Sequence, residues 1–397
     1  MFATTQPEGA PLEPSSYTND LSESLLQTQN GAVHLLAKRW EHRYSAESLA
    51  QSPSPLKESA RTLDSSKMIP LGTGRPAAQY YPWKSMVMDI TSASTKLDLP
   101  GTPNLSLSCA RGEEDFDLGA ALDYGPPIGS PKLINFFKQH VKSFYAPQYR
   151  DWDVGLTCGT TAALEIVFRM FCNRGDWILA EIFTYAEMIA AAKTQGINVL
   201  GIEMDVQGPI PEDLDAKLQD WDEARGPKPF VLEFRPSVGT RVILEEYKMR
   251  LSTSYLSLDT SGRVLRLDSS SKILAPGLRF GWVTASAQII DMYGSTAEIS
   301  SVSPSGPSQV MVYKLLNHTW GHQGFASWLA YLSSQYRQRR DDLVAASGIF
   351  VWLRIDMFHH PCYGQAGLTD KIEQQSDIED RLYKKAQEEG VLVAKGS

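Results

Sequence analysis

The chain has 397 residues, 42% hydrophobic and 21% charged, which predicts a soluble globular protein with two domains or one large and one small. Its net charge of −8, with no dense Lys/Arg block, excludes the basic footprint that nucleic-acid binding requires. No apolar run approaches a membrane span, the four cysteines form no C-x-x-C pair, and the polar, acidic start is unlike a secretory signal. No membrane partner, zinc site or disulfide framework is therefore expected, and the expected compartment is the cytoplasm.

Residues 1–30 are rich in Ser, Thr, Pro and Gln and predict a largely disordered segment. Ala32 to Tyr44 predicts a short helix, broken afterwards by Ser52-Pro53-Ser54-Pro55. Pro70 to Pro82 is a Gly/Pro loop. Gly72 and Gly74 there either let a ligand approach the backbone or belong to a plain loop. Leu133, Phe136, Phe137 and Val141 follow a helical period up to Tyr145.

Val154 to Thr157 reads as a short strand, followed by Gly159-Thr160-Thr161. Leu164, Val167, Phe168 and Phe171 then fall at i, i+3, i+4 and i+7 of a helix. The free amides of a helix start, with two hydroxyls, suit a phosphate; the alternative is a plain N-cap role for Thr160 or Thr161. Trp177 to Glu181 predicts a strand, and a helix containing Met188 and Ala192 follows Thr184-Tyr185. Tyr185 either stacks on an aromatic ligand or is a half-buried core tyrosine. Val199 to Met204 predicts a strand and Pro211 to Leu218 a helix. This alternation predicts an α/β domain with a mainly parallel sheet, whose ligands sit beyond the carboxyl ends of the strands.

Leu267 to Trp282, LDSSSKILAPGLRFGW, is the most specific stretch. One lysine, Lys272, follows three serines and precedes a Pro276-Gly277 break and Arg279. A lysine that forms an imine with an aldehyde cofactor needs a phosphate anchor nearby. Ser269 and Arg279 supply the hydroxyl and guanidinium for one, so the run reads as a pyridoxal phosphate lysine site. Beyond it, Phe280 to Ala285 predicts a strand, residues 310–345 a helical region and Gly348 to Ile355 a strand. Asp377 to Glu389 predicts a helix opened by a Ser376/Glu379 capping box. This last third reads as a smaller α+β domain.

From about Ser45 onward the chain resembles the fold-type I pyridoxal phosphate-dependent aminotransferases, most like the fungal aromatic and the kynurenine/2-aminoadipate members. The resemblance is carried by GTGRP at Gly72, LDYGPPIGSPKL at Tyr124, TCGTTAALEIVF at Gly159, EIFTYAEM at Tyr185, the Lys272 run and GIFVWLRI. It implies that Lys272 bonds the cofactor and moves the substrate Cα proton. Ser269, Arg279, Thr160 and Thr161 would hold the phosphate, and Tyr185 would stack on the ring. Tyr124 would reach the cofactor of the other subunit of a homodimer, and Gly74 would lie near the substrate. The implied activity moves an amino group between an aromatic or similar L-amino acid and a 2-oxoacid, in amino-acid or fungal secondary metabolism. The implied layout is an N-terminal segment (1–44), an arm with part of the small domain (45–110), a large cofactor-binding domain (111–305) and a C-terminal small domain (306–397).

The sequence also departs from the family pattern. The family's Asn-Pro-Thr-Gly is replaced by FVLEFRPSVGTR at Phe230 to Arg241. Glu246 and Tyr247 stand where the family has the Asp that pairs with the pyridine nitrogen and a nearby Tyr. Between the FVLEF and VILEEY strands lie only Arg235 to Arg241, too few for the crossover of about a dozen residues that parallel neighbours need. A shortened stretch near 235–247 is therefore expected. The family's carboxylate-gripping arginine falls beyond Ser397, and Arg354 is no evident replacement. Weakened turnover with retained cofactor binding is the expectation, and a catalytically impaired relative is the alternative. A different pyridoxal phosphate reaction also fits the lysine run.

Overall fold

The computed structural model describes residues 35–52, 74, 76–90, 105–205, 208–233, 254–342 and most of 380–388, a helical stretch. The predicted strand at Gly348–Ile355, and Arg354, Glu246 and Tyr247, lie outside the described residues.

Residues 36–40 are not helical, contrary to the pattern of Ala32 to Tyr44. Their backbone donors are taken by distant partners: Ala37 N by Asp151 Oδ1 (2.8 Å), Lys38 N by Ser261 O (2.9 Å) and Trp40 N by Gln288 Oε1 (2.8 Å). These bonds replace the local ladder that a helix needs, leaving one 3₁₀ turn at Glu41–Arg43. Helix α1 (Ala46–Ala50) follows, capped by the Ser45 hydroxyl.

Strands β1 (Ser85–Ile90) and β2 (Leu105–Ala110) pair antiparallel. After α2 (Leu118–Ala121), helix α3 (Pro131–Tyr145) buries the four residues whose spacing predicted it. Pro131 sits in its first turn, where a missing N–H costs no hydrogen bond.

The chain then runs through β3 (Trp152–Thr157), α4 (Thr160–Phe171), β4 (Trp177–Glu181), α5 (Ala186–Thr194) and β5 (Asn198–Ile202). A short antiparallel pair, β6 (Met204–Asp205) with β7 (Gly208–Pro209), leads to α6 (Pro211–Gln219) and β8 (Leu232–Glu233). Next come α7 (Tyr255–Leu258), β9 (Arg266–Ser269), β10 (Gly281–Ser286) and α8 (Ala287–Ser300).

Two three-stranded sheets result. β4 lies between β5 and β8, all parallel, as the strand–helix alternation predicts. β10 lies between β3 and β9 and is antiparallel to both. The connection from β9 to β10 is too short for a parallel crossover, so β10 must reverse.

Helix α4 joins the two sheets because it is apolar on two sides. Ile166, Val167 and Met170 pack with Val283, Ile289, Ile290 and Tyr293, while Leu164 and Phe168 pack with Ile178, Ala180 and Met188. Leu267 of β9 touches both clusters. Each buried Leu, Ile, Val, Phe or Met among them contributes about 1.5–3 kcal/mol.

The region predicted helical over 310–345 is divided. Helix α9 (Gly306–Tyr313) passes into a π-helical stretch, Lys314–Trp320, and then into α10 (Gly321–Asp342). Buried Lys314 is ion-paired with Glu113 and with Asp115 (3.1 Å), and the Lys314 bond holds the Glu113 carboxyl below its usual range. A Cβ on Gly306 would lie 1.6 Å from the Ala121 carbonyl oxygen, so α9 meets α2 backbone to backbone. Gly306→Ala is expected to cost about 1–3 kcal/mol, seen as a lower urea midpoint at unchanged slope.

His140 is buried on α3 between Phe144 and Phe325, and its Nδ1 has no partner among the described residues. Burial, with His322 and Arg266 nearby, pushes its pKa down to about 3. The unfolded chain then binds one more proton than the folded chain between that value and the ordinary histidine value. Stability is therefore full above the ordinary value and falls as pH drops, by up to about 1.4 kcal/mol per unit. His140→Phe should flatten the dependence of urea midpoints on pH between about 6 and 4.

Candidate active site

The register of the antiparallel sheet brings three strand ends level. Gly281, the first residue of β10, pairs with Ser269, the last of β9, and with Thr157, the last of β3. From this edge β3 continues through Cys158 and Gly159 into α4, β9 continues into the turn carrying Lys272, and Arg279 lies just before β10. Thr160, Ser269, Lys272 and Arg279 are thus gathered although more than a hundred residues separate Thr160 from Ser269.

The turn before α4 is shaped by Gly159, at φ +92. A Cβ there would meet Arg279 Nη2 at 2.5 Å, so the guanidinium lies flush against the turn. Arg279 donates to Pro276 O (3.2 Å) and Cys158 O (3.5 Å), and no carboxylate pairs with it among the described residues. Its charge is available to an anion. Thr160 is the first residue of α4, and its Oγ1 is buried without a partner among the described residues. An unmet buried hydroxyl costs about 1–3 kcal/mol unless a ligand meets it. The first amides of α4 have no intrahelical acceptor, and the helix dipole favours negative charge there. Thr161, half-buried, is the next residue in that first turn.

Ser269 Oγ accepts from Ser271 N (3.1 Å) and keeps its own hydrogen to donate. Buried Ser270 binds Phe280 O through both N (3.1 Å) and Oγ (2.7 Å), which closes the turn. Lys272 stands exposed on that turn. Hydroxyls, helix-start amides and an unpaired guanidinium beside a lysine form a donor set suited to a phosphate monoester. Pyridoxal phosphate presents that group together with an aldehyde, so the residues present fit it.

Other predicted residues sit further out. Tyr185 is half-buried at the start of α5, beyond the carboxyl end of β4, the central strand of the parallel sheet. Tyr124, 60% exposed, lies between α2 and α3. Its neighbourhood reaches the site through Ser303: Cys158 Sγ contacts Ser303 O (3.9 Å), and a Cβ on Gly125 would meet Ser303 Oγ at 3.9 Å. Ser303 was not singled out from sequence, and no local pattern marks it. Gly74 is exposed at φ +62, with none of the described residues within 4 Å of where a Cβ would stand.

The family model for aminotransferase class I and II matches residues 104–232. The aminotransferase swnA of Metarhizium robertsii is 45% identical over 430 aligned positions, covering 93% of this chain and 86% of the relative. The chain belongs to the class I and II aminotransferases. An aromatic amino acid aminotransferase of Schizosaccharomyces pombe is 31% identical, covering 87% of this chain and 88% of its own. The crystal structure of aminotransferase Aro8 from Candida albicans aligns with TM-score 0.77 at 27% identity, covering 91% of this chain and 89% of that one.

The protein is accordingly a pyridoxal phosphate-dependent aminotransferase of fold type I, whose substrates are an amino acid and a 2-oxoacid. The resemblance read from the lysine run and the GTT turn holds for family, fold and cofactor. Among the described residues no helix is long and apolar enough to cross a membrane.

Proposed function

We propose that this aminotransferase exchanges the amino group between an aromatic, or chemically similar, L-amino acid and a 2-oxoacid, in the cytoplasm, within amino-acid metabolism or a fungal secondary-metabolite route. The observation that carries the residue assignment is the convergence of Thr160, Ser269 and Arg279 around the turn of Lys272. The aromatic preference is supported by the 31% identical relative, which is named for aromatic amino acids.

When bound, pyridoxal phosphate supplies an electron sink for charge developing at the substrate Cα. Arg279, Ser269, the Thr160 and Thr161 hydroxyls and the first amides of α4 would hold the phosphate and so anchor the cofactor by its charged end. Lys272, on the turn between Ser269 and Arg279, would bond the aldehyde with loss of water and would carry the proton to and from Cα. Tyr185 would stack on the cofactor ring, and Gly74 would lie near the substrate. Tyr124, exposed in the single chain, reaches the neighbouring subunit's cofactor in a homodimer. Glu246 and Tyr247 would take the roles of the family's pyridine-pairing Asp and its nearby Tyr. In the domain layout, 45–110 is an arm with part of the small domain, 111–305 the large domain, shortened near 235–247, and 306–397 the small domain. The 430-position alignment with swnA is longer than this entire chain, and the family-model match stops at residue 232; both support the shortened stretch.

The test is the absorbance spectrum of the protein with pyridoxal phosphate, before and after adding tyrosine, phenylalanine, tryptophan or alanine. The expected result is a visible band that is lost with the aromatic amino acids as each matching 2-oxoacid appears. A band bleached by alanine alone would overturn the aromatic assignment, and a band that no amino acid alters would identify an impaired relative.

A further inference from the structure

The phosphate anchor does not explain what holds Lys272 itself. Ser270 O accepts from Ile273 N (3.2 Å) and Leu274 N (2.8 Å), so the chain begins a helical turn at the lysine. That turn cannot continue. The residue four beyond Lys272 is Pro276, which has no N–H, so the Lys272 carbonyl loses the donor a helix would give it. Donors arrive from α10 instead. The Tyr336 hydroxyl donates to Lys272 O at 2.8 Å, and Trp328 Nε1 donates to Ile273 O at 2.6 Å. The Trp328 ring is itself fixed, packed at 5.1 Å from Trp320 and 5.7 Å from Tyr331.

We propose that Trp328 and Tyr336 are positioning residues that set the direction in which the Lys272 side chain leaves its turn. The proposal rests on Lys272 being the cofactor lysine. A lysine side chain has four rotatable bonds and little intrinsic direction, so its amine is aimed mainly by the backbone from which it starts. Two carbonyls pinned to one rigid helix hold that backbone, and a small loosening of a reacting group is costly in rate. The segment 306–397 thereby reaches the reacting lysine through α10.

Tyr336→Phe keeps the ring and removes only the donor, whereas Trp328→Phe removes the N–H and part of the ring. Three readouts apply: amide exchange of residues 271–275 without cofactor; the rate at which added pyridoxal phosphate is captured on Lys272, trapped with borohydride and located by mass; and the pH midpoint of the visible band. Tyr336→Phe should melt as the wild type does, exchange about five-fold faster and capture about five-fold more slowly, with a shifted pH midpoint. Trp328→Phe should change all three in the same direction. Wild-type exchange and capture in both variants would overturn the proposal. So would lower melting temperatures with capture and pH midpoint unmoved, since that is the signature of packing alone. If the wild type itself carries no label on Lys272, the cofactor assignment falls instead, and the exchange rates still decide whether α10 holds the turn.

Discussion

Lys272→Ala is expected to leave a folded protein that no longer takes up pyridoxal phosphate covalently and turns over at least about a thousand-fold more slowly. The two halves of this expectation have separate causes. Lys272 is exposed on its turn and forms no ion pair among the described residues, so its removal should change stability by less than about 0.5 kcal/mol. In the proposed function, however, the amine is the group that would bond the aldehyde and shuttle the Cα proton. Lys272→Arg separates charge from chemistry. A guanidinium keeps the positive charge but stays protonated and cannot form the imine, so it should be as inactive as alanine. Steady-state rates and the visible spectrum read both variants. Retention of more than about a tenth of the wild-type rate in Lys272→Arg would assign the lysine an electrostatic role and remove it as nucleophile.

Local chemistry made part of this site legible. Helix α3 follows from the spacing of Leu133, Phe136, Phe137 and Val141, and α4 from Leu164, Val167 and Phe168, because apolar residues at those intervals must share a face. The Gly159 turn and the Lys272 run are also local, since each places its donor types within a few residues. What pairing decides was not legible. The register of β10 with β3 and β9, which levels the end of β3 just before Thr160 with Ser269, depends on neighbours that no window of sequence contains. Residues 36–40 failed as a helix for the same reason: Asp151, Ser261 and Gln288 claim their amides from far away. The π-helical stretch at Lys314–Trp320 follows a helical pattern in sequence. The contacts of Lys314 that accompany its wider turn come from Glu113 and Asp115, two hundred residues earlier. One nonlocal contact did leave a trace. Pro276, four residues after Lys272, announces a carbonyl without its helical donor, although it does not say that Tyr336 supplies one.

Gly159→Ala should weaken pyridoxal phosphate binding about a hundred-fold while leaving the affinity for pyridoxal, which lacks the phosphate, nearly unchanged. At φ +92 an alanine is strained by about 1–3 kcal/mol, and this cost appears in the cofactor-free protein as a lower melting temperature. The effect on affinity has a different origin. The new Cβ would stand 2.5 Å from Arg279 Nη2, so the guanidinium must leave the turn. A lost charge-assisted bond costs about 1.5–3 kcal/mol, or roughly ten- to more than a hundred-fold in affinity. Arg279→Ala should reproduce that loss without the strain, melting close to wild type. In the double variant the two affinity losses should not add, because both remove the same guanidinium from the same anion. Titrating the cofactor-free proteins with pyridoxal phosphate and with pyridoxal decides the matter. Equal losses for both ligands would show that the turn supports the lysine and not the phosphate, and would withdraw Arg279 and Thr160 from the anchor.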